Sequence, residues 1–291
     1  MKEEVIEIDV KDIKNFPNHP FKITNDLNYE ELRNSIIENG ILVPAIVRKT
    51  DDGKYEMLSG HRRKQICEEQ GIKKIPCFVK DLSDQEATIL MVDSNLQRDK
   101  ILPSEKAMAY KMKYDAMKSM TPSVSDKRKD EILGELVGES REQIRRYIRL
   151  NYLIPELLQL VDDTILKDKR TTLTMGLRPA VELSYLTKNE QEMVYEEIYY
   201  EELTPSHYQA KRMRELSENG KLNADEIENI MCEEKGNQRE QISFNKEKIE
   251  KALPSELLRR DKRYIEQYIL KAIDFYKSAE LERGDDNDLD L

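Results

Sequence analysis

The stretch from residue 58 to residue 98 constrains this chain most. It opens Leu58-Ser59-Gly60-His61-Arg62-Arg63 and closes Asp93-Ser94-Asn95-Leu96-Gln97-Arg98. The first segment places a glycine and two adjacent arginines where an apolar strand, residues 55–58, gives way to a helical pattern that stops at Gly71. A helix N-terminus offers unpaired N–H groups and the positive end of the aligned peptide dipoles. Gly60 lets the backbone approach a ligand, and the arginines add fork-shaped, charge-assisted hydrogen bonds, so the segment suits a phosphate. The second segment adds two amides and a third arginine. Against this stands a plainer reading, in which an arginine pair at a helix start is a solvated face.

The flanking pattern predicts a compact α/β unit. Val5, Ile6, Ile8 and Val10 suggest an opening strand, and Phe16-Pro17-Asn18-His19-Pro20 a proline-punctuated loop. A helix is predicted over 29–39, capped by Asn28 with Glu31 at capping-box spacing and ended by Gly40. Strands over 45–48 and 55–58 flank the hairpin signal Asp52-Gly53. A last strand covers 75–79, where Pro76 argues for an edge or a strand start. Ser83-x-x-Glu86 is a second capping box, opening the helix that ends at the second segment.

Beyond residue 98 the pattern is helical. Pro103-Ser104-Glu105 starts a helix reaching about residue 118, and 121–129 reads as a loop. Residues 132–137, the turn Gly138-Glu139-Ser140, and 141–149 have the length and composition of a helix-turn-helix. Ile144, Tyr147 and Ile148 share one sector of the second helix, and Arg141, Arg145, Arg146 and Arg149 fall on the other side. Arginine reads guanine edges or holds phosphate, Gln143 suits adenine, and Ser140 at the helix start suits a backbone phosphate. Ser140, Arg141, Gln143, Arg145, Arg146 and Arg149 are thus the candidate DNA-binding residues. Lys211, Arg212 and Arg214 offer a possible second backbone contact, or an ordinary solvated face.

Composition narrows the classes. The net charge of −10 argues against general coating of nucleic acid, but screening over about 8 Å leaves room for a local basic surface. Cys67, Cys77 and Cys232 form no C-x-x-C pair and fit a reducing compartment. No apolar run is long enough for a membrane span, and no signal peptide is evident. His19 has no partner at metal-ligand spacing and reads as a loop residue.

The two segments resemble the signature boxes of the ParB partition-protein family, G-E-R-R and E-N-x-Q-R, separated by one small α/β unit. The likeness continues through the helix-turn-helix to about residue 232, roughly four-fifths of the chain. It implies an α+β protein. A ParB-like nucleotide-binding domain over 1–98 precedes an all-α DNA-binding domain over 99–235, with the helix-turn-helix at about 131–150. A helical segment over 242–282, suited to self-association, and an acidic tail over 283–291 follow. It further implies that Ser59, Gly60, His61, Arg62, Arg63, Asn95, Gln97 and Arg98 bind CTP, with Asn95 helping to hold Mg²⁺. The implied partners are double-stranded DNA with an inverted repeat, a second copy of the chain and a ParA-type ATPase. The expected location is cytoplasmic, on nucleoid or plasmid. Three departures bear on the nucleotide: His61 and Ser94 stand where the boxes carry Glu, and Val43 where a Gln is frequent. A neutral hydroxyl is a poorer ligand for Mg²⁺ than a carboxylate. Catalysis is therefore expected to be at most a slow CTPase. The alternatives are a transcriptional regulator of a mobile element and a kinase or nuclease on the same fold, for which Glu68 and Glu69 are the nearby bases.

Overall fold

The computed structural model describes residues 4–98, 100–120, 129–166 and 173–233, with short pieces between 253 and 276. The expected loop at 121–129 lies outside them except for the backbone of Lys129. The linker at 236–241, the acidic tail and most of the 242–282 segment also lie outside. Residues 1–233 form one compact unit and 234–291 a second.

The first unit begins as a five-stranded sheet. Its strands are β1 (Val5–Asp9), β2 (Ile13–Lys14), β3 (Ala45–Lys49), β4 (Tyr55–Ser59) and β5 (Lys74–Lys80), in the order β1-β5-β3-β4-β2. β3 and β4 form the antiparallel hairpin expected from Asp52-Gly53, closed by the Gly53 N–H on the Thr50 carbonyl at 3.0 Å. β5 runs parallel to β3 and antiparallel to β1, so it is an inner strand. That rules out the first of the two alternatives drawn from Pro76, an edge or a strand start. The proline stands one residue ahead of the Ala45–Cys77 pair at which the ladder to β3 begins.

Alternation along β4 sends Met57 and Leu58 to opposite faces, as strand geometry requires. Met57 joins Ile8, Val47, Cys67, Ile75 and Cys77 in one apolar cluster. Leu58 joins Phe16, Phe21, Ala87, Met91 and Val92 in another. Cys67 belongs to α2 (His61–Gln70), whereas Ala87, Met91 and Val92 belong to α3 (Asp84–Leu96), so the sheet is helix-covered on both sides. The Ser83–Glu86 capping box forms as expected. α1 (Leu27–Asn39) begins two residues earlier than predicted. Its cap is Asp26, whose carboxylate accepts from the Tyr29 N–H at 2.8 Å, and not Asn28.

α4 (Pro103–Met120) joins the sheet region to the helices. Its N-terminus is held from afar: Asp162 accepts from Ser104 N–H and Oγ at 2.9 and 2.6 Å, and Glu105 accepts from Lys22 N–H at 2.7 Å. α5 (Lys129–Val137) and α6 (Arg141–Leu150) pack on it through Tyr110, Leu133 and Ile144. α7 (Pro155–Leu166), α8 (Leu177–Leu183), α9 (Lys188–Glu201), α10 (His207–Glu218) and α11 (Ala224–Met231) enclose the largest core, which includes Leu157, Leu183, Val194, Met213 and Ile230. Among the described residues no helix is long and apolar enough to cross a membrane.

Candidate functional site

The turn from β4 into α2 is built on Gly60. Its φ is +115°, and a Cβ there would lie 2.9 Å from Ala45 Cβ and 3.1 Å from Arg63 Nη2. Only glycine fits such a conformation and such proximity without strain. Ser59, the last residue of β4, pairs with Ile46, so the turn hangs from the hairpin itself.

The two arginines that follow diverge. Arg63 folds back and donates through Nη1 to the carbonyls of Val43 and Pro44, the latter at 3.0 Å. It closes the loop before β3, and burial works against its charge. Arg62 faces a pocket of about 560 Å³ lined by Asp26, Leu27, Asn28, Gln97, Arg98 and Lys100. Its Nη2 donates to Asp26 at 3.2 Å, while its Nε is buried without a hydrogen-bond partner among the described residues. Burial alone would raise the Asp26 pKa, but the Tyr29 N–H and Arg62 outweigh it and hold the carboxyl below its usual range. Burial, then the like charge of Arg62, disfavours the Arg98 cation. Among the described residues, three cationic side chains thus line the pocket against one carboxylate.

Behind Arg98 lies a stack of rings. The Arg98 guanidinium sits 5.4 Å over Phe21, Phe21 meets His19 edge-on, and His19 lies on His61 with ring centroids 3.9 Å apart. His19 Nδ1 is 2.9 Å from the Phe21 carbonyl, so it carries the proton and leaves Nε2 a bare acceptor. Nε2 of both histidines is buried and, among the described residues, unpartnered. Burial, with His19, Arg98 and Lys64 adding, pushes the His61 pKa down to about 3.

Of the residues expected to bind nucleotide, the structure therefore brings Arg62, Gln97 and Arg98 into one pocket, with Gly60 and His61 behind them. Arg63 is committed elsewhere. Asn95 is buried on α3, where its Nδ2 donates to the Met91 carbonyl at 2.8 Å. Ser94 Oγ donates to the same carbonyl, and Asp93 pairs with the buried Lys113 of α4. Among the described residues no three His, Cys, Asp or Glu side chains cluster as metal ligands. These groups do not fit a protein-held Mg²⁺ ion. Glu68 accepts from Lys64, and Glu69 from Tyr29 and Gln65, so neither faces the pocket as a free base. Sequence reasoning missed Asp26, Asn28 and Lys100. Lys100, two residues past Arg98, carried a legible signal, whereas Asp26 arrives from a distant part of the chain.

The helix pair α5–α6 forms as predicted, with Gly138 at φ +71° after α5 and Ser140 capping α6 by accepting from the Gln143 N–H. Gly134 makes the turn possible: a Cβ there would lie 2.5 Å from the Glu139 carbonyl oxygen. The arginines of α6 do not form one free face. Arg141 and Arg145 both donate through Nε to Asp130 of α5, at 2.9 and 2.5 Å. Arg149 donates to Ser184 Oγ and carbonyl at 3.0 and 2.6 Å and lies over the Tyr152 and Tyr185 rings. Among the described residues Arg146 reaches only Gln143, at 3.5 Å. On α10, Lys211, Arg212 and Arg214 are paired with Glu215, Glu233, and Glu182 and Glu218, which makes them part of a charge network.

Residues 1–96 match the family model of the ParB N-terminal domain. The chain is 33% identical to the nucleoid occlusion protein of Geobacillus sp. (strain WCH70) over 156 residues, 54% of this chain and 52% of that one. It is 33% identical to the chromosome-partitioning protein Spo0J of Thermus thermophilus over 158 residues, 54% of this chain and 55% of that one. It is 29% identical to the stage 0 sporulation protein J of Bacillus subtilis over 202 residues, 69% of this chain and 65% of that one. The chain thus spans about half the length of the first two relatives. The C-terminally truncated ParB of Caulobacter crescentus, solved with its centromeric parS site, superposes at a TM-score of 0.42 with 20% identity, over 72% of this chain and 98% of that one.

Proposed function

We propose that this chain, whose residues 1–96 match the ParB N-terminal domain, is a ParB-type partition protein that binds DNA through α6 and holds the triphosphate of CTP in the Arg62–Arg98 pocket. The observation that carries the nucleotide half is the pocket's charge. Among the described residues, Arg62, Arg98 and Lys100 face one carboxylate, Asp26, and Arg62 Nε is buried with nothing to donate to. A buried donor left unpaired costs free energy, and an anionic oxygen is the partner that removes the cost. The α2 N-terminus that Gly60 opens has no side-chain cap, and its unpaired N–H groups add to the same end. The choice of cytosine rests on the family resemblance.

In this reading the protein binds an inverted repeat as a dimer, works with a ParA-type ATPase in segregating a replicon, and closes on DNA when nucleotide is bound. Because Ser94 and Asn95 are turned onto their own helix, any Mg²⁺ would be held by phosphate oxygens and water, and no reaction step is assigned to it.

Calorimetric titration with CTP, ATP and GTP, with and without Mg²⁺, tests the proposal. Selective CTP binding that survives without Mg²⁺ and is lost in Arg62→Ala is the expected result. Absence of binding by any nucleotide leaves a helix-turn-helix regulator without a nucleotide-operated clamp.

A further inference from the structure

Asp130 is an anion set into the surface that would face DNA. Its side chain is 7% exposed, and one oxygen, Oδ2, accepts from the Nε of both Arg141 and Arg145. Its other oxygen accepts from the Glu131 N–H at 3.1 Å. A surface needed only to attract phosphate gains nothing from a carboxylate there, since each negative charge opposes the counterion-releasing contacts that dominate affinity. What the arrangement does provide is orientation. Arginines four apart on a helix are neighbours and repel. A shared carboxylate holds both on one side of α6 at a fixed spacing. It also takes them by Nε and leaves Nη1 and Nη2 without another hydrogen bond among the described residues. Those terminal nitrogens are a pair able to bridge O6 and N7 of a guanine. Arg145 is 58% exposed and Arg141 27%, so Arg145 projects further from the fork.

We infer that Asp130 is a positioning residue that sets sequence discrimination by holding Arg141 and Arg145 end-on to the base edges. This rests on the reading of α6 as the DNA-reading helix. The carboxylate thus lowers general attraction to DNA while raising the selectivity of the two guanidiniums above it. That combination predicts effects of opposite sign, which loss of folding would not produce.

The test begins with the full chain selecting duplexes from a random-sequence pool. Failure of the wild type to enrich any sequence sinks the DNA-reading assignment itself, separately from the role of Asp130. With an enriched duplex in hand, affinity for it and for a scrambled duplex is measured for the wild type, Asp130→Asn and Asp130→Glu. Asp130→Asn should lose about tenfold on the enriched duplex while holding or gaining on the scrambled one, so the ratio collapses. Asp130→Glu should recover part of the ratio. Arg145→Lys, which keeps the charge but has no Nε to anchor, should reproduce the loss of ratio even if Asp130→Asn does not fold. A parallel fall on both duplexes, or an unchanged ratio in Asp130→Asn and Arg145→Lys, would overturn the inference.

Discussion

Arg62 and Arg98 stand around a pocket that holds, among the described residues, a single carboxylate, whereas Arg141 and Arg145 share the buried carboxylate of Asp130 and Arg149 is tied to Ser184 and two tyrosine rings. The same side chain has, among the described residues, a buried Nε without a partner in one place and is anchored through Nε in the other. A cluster short of partners is poised for a mobile anion, because the ligand supplies what the protein omits. An anchored cluster is already rigid, and it can discriminate among partners by geometry more than by charge. If this contrast is sound, removing an arginine from the first region should cost ligand and little stability. Removing a structural arginine from the second should cost stability first.

The largest effect belongs to the pocket. Arg62→Ala and Arg98→Ala should each weaken CTP binding by about tenfold to a hundredfold, the range of a charge-assisted hydrogen bond. The thermal midpoint of the ligand-free protein should stay close to that of the wild type, since each change also relieves like-charge repulsion. Calorimetry and melting curves read both quantities. A large stability loss with unchanged affinity would reverse the assignment.

Next comes the α5–α6 turn. Gly134→Ala places a methyl carbon against the Glu139 carbonyl, where a Cβ would come within 2.5 Å. Relieving that clash should cost ~1–3 kcal/mol, seen as a fall of several degrees in thermal midpoint together with loss of DNA binding. CTP affinity should be untouched, because the pocket lies on other elements. If CTP binding falls with it, the two regions are coupled more tightly than their separate charge environments imply.

Arg146 and Arg149 sharpen the contrast within α6. Arg146→Ala should weaken DNA binding and reduce the slope of log affinity against log salt by about one phosphate contact. Arg149→Ala removes two hydrogen bonds to Ser184 and the stacking on Tyr152 and Tyr185, so it should lower the melting point with no equivalent change in slope.

What could be read in the sequence follows from what is local. The Ser83–Glu86 box, the Gly71 stop, the Asp52-Gly53 hairpin and the two-helix turn each depend on residues a few positions apart, and each formed as expected. The position of β5 depends on β1 pairing with it from the other end of the domain, so Pro76 left two placements open. The arginines show the same limit. A helical wheel separates Arg141, Arg145, Arg146 and Arg149 from the apolar side, but it cannot show Asp130 or Ser184 reaching across from other helices. Asp26 was equally hidden, since its role as cap and as counter-charge to Arg62 exists only once α1 and α2 are side by side.

The last prediction concerns the ring stack behind the pocket and is read through pH. His61 stays neutral in the folded protein until about pH 3 because burial, His19, Arg98 and Lys64 all oppose its protonation, whereas the ordinary imidazole value is 6.5. Above pH 6.5 neither the folded nor the unfolded chain carries that proton, and His61 contributes no pH dependence. Below 6.5 the unfolded chain takes up the proton first, so stability falls by up to about 1.4 kcal/mol per pH unit until the folded value is reached. Carboxylates titrate over part of the same window, so the His61 share is the difference between wild type and His61→Gln. Urea unfolding at pH 7, 6 and 5 should give curves that converge as pH falls, with the wild type losing more per unit. Parallel curves would mean that the imidazole accepts a proton while folded. The stack would then tolerate a further positive charge beside Arg98, and the pocket would have less need of an external anion than its charge count implies.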